Sequence, residues 1–105
     1  MGSIPLSRNE VVRRLASVEA QVRRLGVRRL ALFGSFARDE ARAESDVDVL
    51  VEFTSERETY DAFLALCDLL ENVLERKTDV VTTNALSPII GPHILAEAID
   101  VIRAA

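Results

Sequence analysis

Two aspartates stand two residues apart in the run Ser45-Asp46-Val47-Asp48-Val49-Leu50-Val51. On a strand, residues i and i+2 point to the same face. At roughly 3.3 Å per residue their Cβ atoms lie about 6.5–7 Å apart. Bare carboxylates so close raise one another's pKa; a shared divalent cation removes that repulsion. Two magnesium ions about 3.5–4 Å apart form a clamp for in-line phosphoryl or nucleotidyl transfer. Magnesium takes oxygen ligands and keeps room for substrate phosphates. Asp46 and Asp48 are therefore candidate ligands to two Mg²⁺ ions. A third acid is needed to complete such a site, and Asp79 is the best placed. It lies near the start of the β-branched run Lys77–Thr83, and a neighbouring strand is only about 4.8 Å away. There it could ligate metal or take the proton from an attacking hydroxyl.

Gly34-Ser35 follows a short apolar run and supplies a phosphate side. Glycine lets the backbone turn closely. Ser35 and the amides after it would open a helix, where anions bind. Arg38 lies near the same helical face as Ser35, and its guanidinium could clamp a phosphate. Ser45, just before the acids, can cap its loop or touch metal-bound phosphates. Glu52 shares the acids' face further along and reads as a rim residue. The two glycine-rich nucleotide motifs, G-x-G-x-x-G and G-x-x-x-x-G-K-[ST], are both absent.

The elements that must position these residues follow from pattern. Ser7 to Gly26 reads as one helix, with a capping-box pattern at Ser7–Glu10 and Val11, Leu15, Val18, Val22 and Leu25 on one face. Arg29–Phe33 reads as a buried strand, Ser35–Ala41 as a short helix and Arg42–Ser45 as loop. Val47–Phe53 alternates: its valines and Phe53 face the core, while Asp46, Asp48, Leu50 and Glu52 face the other way. Ser55–Glu58 is a second capping-box pattern, opening a helix to about Glu75. Phe63, Leu66, Cys67, Leu70, Val73 and Leu74 form its buried stripe. Lys77–Thr83 is the third strand. Ser87-Pro88 reads as a helix start, disturbed after one turn by Gly91-Pro92. The C-terminal run gives a helix to about Glu97 and then a short edge strand. The class is α/β: a small mixed sheet of three to four strands packed against helices, one domain over residues 1–105.

Net charge is −4, from 13 Lys and Arg against 17 Asp and Glu. That balance gives no general affinity for nucleic acid or an anionic membrane. One cysteine, Cys67, and one histidine, His93, exclude an internal disulfide and a zinc site of the usual kind. No apolar run approaches the roughly 20 residues of a membrane helix, and no signal peptide is visible. These features predict a soluble cytoplasmic domain without direct nucleic-acid or membrane binding.

The stretch from Gly34 to Val51, "GSFARDEARAESDVDVLV", resembles the motif of the nucleotidyltransferase superfamily related to DNA polymerase beta: Gly-Ser, an Arg shortly after, then Ser-Asp-x-Asp-x-Leu-Val. The short chain is most similar to the minimal nucleotidyltransferases, often antitoxins paired with a helical ribonuclease toxin of the HEPN class. The resemblance covers Leu30–Phe53 strongly and Thr78–Val81 in support. It implies a nucleotidyltransferase fold, with Gly34 and Ser35 at the triphosphate, Asp46 and Asp48 as metal ligands and Asp79 as the third carboxylate. It also implies transfer of AMP from ATP to a hydroxyl, which in the toxin–antitoxin group is a tyrosine of the toxin. The family usually carries Gly after the Arg; Asp39 stands there in this chain.

Two rival functions share these residues. One is an antitoxin that neutralises its toxin by complex formation alone; the other is a small-molecule nucleotidyltransferase. Several residues take blander readings. His93 is a surface or capping residue, Cys67 belongs to the core, and Tyr60 packs at its helix start. Arg13, Arg14, Arg23, Arg24, Arg28 and Arg29 are solvated, the last two lying near the proposed site.

Overall fold

The apolar face of the second strand sets the architecture. The computed structural model describes residues 6–54 and 56–103. Strand β2 (Val47–Phe53) has the bounds its alternation predicts, with Val47, Val49, Val51 and Phe53 buried. It pairs antiparallel with β1 (Val27–Phe33) and parallel with β3 (Thr78–Thr82), while β4 (Ile99–Ile102) pairs antiparallel with β1. The sheet is therefore mixed and four-stranded, in the order β3-β2-β1-β4. A parallel pair needs a crossover, which is α4 (Tyr60–Leu74).

The first helix is two. Ser7 caps α1 (Arg8–Ser17), its Oγ accepting from the Glu10 N–H at 3.1 Å. The reciprocal half of the capping box is replaced: the Glu10 carboxylate pairs with Arg13 and Arg14. Val18 leaves helical geometry at φ −109°, ψ 19°, and α2 (Glu19–Arg24) follows. The break keeps Val11, Leu15, Val18 and Val22 all against the sheet.

Strand β1 begins at Val27, two residues before the predicted start. A bulge between Val27 and Arg29 leaves Arg28 without a cross-strand partner on β2, so the charged pair interrupts the pattern without ending the strand. The start of α4 is corrected too. Its cap is Thr59, whose Oγ1 accepts from the Ala62 N–H at 3.1 Å. The expected cap, Ser55, lies outside the described residues. Leu66, Leu70 and Leu74 of the predicted stripe are fully buried, whereas Cys67 is half-buried. Tyr60 is 75 % exposed rather than packed. Near the C-terminus, the run from Ser87 makes only one turn before Gly91-Pro92, and α5 (Gly91–Glu97) begins there, with Pro92 in its first turn. Its missing N–H is harmless in a first turn. Ser87 caps only the preceding turn, accepting from the Ile90 N–H at 3.0 Å.

The two faces of the sheet differ. One packs on α1, α2 and α4 through the main core. The other carries a smaller cluster of Ala31, Phe33 and Leu50, covered by Val81, Leu86, Ile94 and Ala98. The acids lie on this second face, at the rim of its small apolar patch.

Candidate active site

One edge of the sheet gathers the end of β1, the starts of β2 and β3, and the start of β4. In register, Phe33 stands opposite Asp48, and Asp48 beside Asp79. Leu32 stands opposite Ile99, the first residue of β4. Gly34, Asp46, Asp48, Asp79 and Glu97 are thus brought to one edge by four strands. Asp79 adjoins Asp48 because β3 runs parallel to β2 and starts at Thr78, beside Val47.

Gly34 sits at φ +76°, in the left-handed region. A Cβ there would lie 2.1 Å from Asp48 Oδ2. Both the backbone angle and the closeness of the carboxylate demand glycine. Ser35 follows, half-buried, in the four-residue helix α3 (Gly34–Ala37). This helix is shorter than the predicted Ser35–Ala41. Asp39 ends it at φ +60°. The Asp39 N–H donates to Phe36 O at 3.1 Å and the Glu40 N–H to Ser35 O at 2.8 Å. That pair of bonds is a Schellman closure, whose left-handed position favours Gly. Asp39 occupies the glycine position of the turn and is exposed.

Burial is the main reason the Asp48 carboxyl is held above its ordinary value of 3.8. Asp79 and then Asp46 add to the effect, Arg38 opposes it, and Glu97 adds again. Three other acids and one arginine therefore act on the half-buried Asp48 carboxylate. Asp46 is more exposed and lies 3.9 Å from Lys77 Nζ. Among the described residues no three His, Cys, Asp or Glu side chains form a ready-made metal cluster. The donor set nonetheless fits magnesium, which prefers oxygen and keeps several positions for water and substrate phosphate. The mutual repulsion around Asp48 is what a cation would relieve.

On the phosphate side, the predicted donors have partners within the chain. Arg38 Nη1 donates to Glu97 Oε2 at 3.1 Å and to Oε1 at 3.3 Å. The Gly34 N–H donates to the same Oε1 at 3.1 Å. Ser45 Oγ accepts from the Arg42 N–H at 2.8 Å, capping its own loop. Arg28 and Arg29 are not near the acids. Arg28 pairs with Glu52 and Arg29 with Asp100, four or more residues back along β1 from Phe33, roughly 13 Å.

Two residues of the site escaped sequence reading. Arg76 Nη1 donates to Ala43 O at 2.8 Å and Ser45 O at 2.9 Å, and its guanidinium lies 5.5 Å from the Phe36 ring centroid. It ties the loop before Asp46 to α3. Glu97 closes the Gly34–Arg38 clamp. Neither belongs to a local motif; each arrives from a distant segment through the topology.

A family model for the nucleotidyltransferase domain matches residues 15–101. A Methanocaldococcus jannaschii protein named "Putative protein adenylyltransferase" is 38% identical over 94 residues, covering 90% of this chain and 97% of its own. The protein adenylyltransferase MntA of Thermococcus cleftensis is 38% identical over 78 residues, covering 74% and 78%. A solved structure described as a "putative minimal nucleotidyltransferase" superimposes with a TM-score of 0.81 at 36% identity, covering 93% of this chain and 98% of its own. The MNT antitoxin bound to a tri-AMPylated Shewanella oneidensis HEPN toxin shares the fold, with a TM-score of 0.65 at 14% identity over 92% and 73%. The chain belongs to the nucleotidyltransferase domain family and has the fold of its minimal members.

Proposed function

We propose that residues 1–105 act as a single minimal nucleotidyltransferase domain, a Mg²⁺-dependent protein adenylyltransferase. It transfers AMP from ATP to a hydroxyl, a tyrosine of a HEPN-type toxin, and so serves as the antitoxin of a cytoplasmic type VII-like pair. The observation that carries this reading is the pairing of Asp48 with Asp79 in register on β2 and β3, with Gly34, the residue after β1, closely against the Asp48 carboxylate. The names of the two adenylyltransferase relatives support the AMP donor, and the toxin-bound fold neighbour supports the partner.

Asp46, Asp48 and Asp79 would hold two magnesium ions. Bound magnesium supplies charge neutralisation of the phosphate oxygens. The Gly34 N–H, Ser35 and Arg38 hold the triphosphate, with Ser45 keeping its loop closed beside them. The acceptor oxygen bonds to the α-phosphorus as the bond to pyrophosphate breaks. Asp79, the more exposed member of the in-register pair, takes the hydroxyl proton. Catalysis is then positioning and electrostatic stabilisation.

The test is to incubate the protein with ATP, Mg²⁺ and its neighbouring-gene product and weigh that product by mass spectrometry. Added AMP mass is expected. Asp46→Ala with Asp48→Ala should lower the rate by at least about a thousandfold. No added mass, or mass that survives the double substitution, defeats the enzyme reading. Protection of the toxin by the double variant at stoichiometric dose would favour neutralisation by binding alone.

A further inference from the structure

Glu97 is the last residue of α5, and the negative end of a helix is a poor place for a carboxylate. It is held there by the Gly34 N–H and by Arg38, at 3.1–3.3 Å. The same two donors hold the triphosphate in the proposed function, and a role for Glu97 at this clamp rests on that reading. A backbone N–H carries one proton and serves one acceptor well. Glu97 and a phosphate oxygen cannot both take it, and two anions on one clamp repel.

We propose that Glu97 is a place-holder: its carboxylate fills the triphosphate clamp in the free protein and must leave when nucleotide binds. The device does two things. It keeps Gly34 and Arg38 aligned while the clamp is empty, because both donors are satisfied by one internal carboxylate. It also sets a threshold for nucleotide, because every binding event displaces an internal anion. Glu97 is a regulatory residue of the site rather than a catalytic one. Its competitor is any polyphosphate chain, and the adenine plays no part.

The experiment is calorimetric titration with Mg²⁺ and α,β-methylene ATP, which cannot release AMP. Glu97→Gln keeps size and helix while removing charge. It should bind roughly three- to tenfold more tightly than the native chain. Glu97→Asp keeps the charge but shortens the reach, and should also bind more tightly. Arg38→Ala should weaken binding, and in that background the Glu97→Gln gain should shrink. The Gly34 amide resonance gives an independent readout. It should shift in free Glu97→Gln and converge with the native position once nucleotide is bound. Unchanged or weaker binding by both Glu97 variants, with Arg38→Ala still weakening it, overturns the place-holder and leaves the site assignment standing. Binding that is absent, or indifferent to Arg38→Ala and Asp48→Asn alike, overturns the site assignment and the place-holder with it.

Discussion

The two faces of β2 lie back to back on seven residues and do opposite things. Val47, Val49, Val51 and Phe53 are buried against α1 and α4. On the reverse, Asp48 and Glu52 flank Leu50, and only the small patch around Leu50 is covered. The apolar face stabilises the fold. The acidic face weakens it, since Asp48 is half-buried among other acids. A strand can carry such a face because its partner face carries the stability.

The largest effect on that comparison comes from breaking the apolar side. Leu70 is fully buried on α4 and packs in the main core. Leu70→Ala should destabilise the protein by about 2–5 kcal/mol through lost burial and a residual cavity. Urea denaturation measures it. A loss below about 1 kcal/mol would mean that the core does not depend on α4 as described.

This contrast also explains which features are legible in the sequence. The D-x-D face, the bounds of β2 and the edge strand β4 are readable because period-2 alternation is local. Asp79 is readable because a β-branched run follows it. Thr59 escapes as a cap because Ser55 is the better capping type and carries the capping-box pattern with Glu58, whereas the α4 cap is Thr59. The start of α5 is misplaced at Ser87 because both Pro88 and Pro92 suit a first helical turn, and the sequence alone does not choose between them. Glu97 and Arg76 are invisible for a different reason. Their partners lie 63 and 31 residues away, at Gly34 and Ser45, and no local rule reports such pairs.

The acidic face gives the next effect, with the opposite sign. A carboxyl whose pKa is raised by folding keeps its proton in the folded state over a range in which the unfolded chain has lost it. Its contribution is fully present below the ordinary value of 3.8 and is lost as pH rises through the raised folded value. At neutral pH Asp48 is therefore a liability to the free protein. Asp48→Asn should remove adenylyl transfer yet raise stability at about pH 7, by no more than about 1 kcal/mol after solvent screening. The gain should shrink as pH falls toward 3.8. Thermal denaturation of both proteins across about pH 4–8 measures it. A variant less stable than the native chain at neutral pH would show that the Asp48 carboxylate is a structural partner rather than a strained ligand.

The smallest effect concerns Asp39, at the position where the motif resemblance leads to an expectation of glycine. The structure gives that position a physical requirement: φ +60° at the C′ site of a Schellman closure. A non-glycine residue in this region is disfavoured, though Asp and Asn tolerate it better than most. Asp39 is exposed at a helix end, so its charge also faces the negative end of α3. Asp39→Gly relieves both, while freeing the unfolded chain to sample more conformations. The net expectation is a stabilisation of about 0.5 kcal/mol, and Asp39→Asn should give part of it by removing charge alone. Adenylyl transfer should stay within about twofold in both, because Asp39 is exposed. A gain in transfer rate well beyond that, from either substitution, would place the Asp39 charge within reach of the triphosphate and make the departure a functional one.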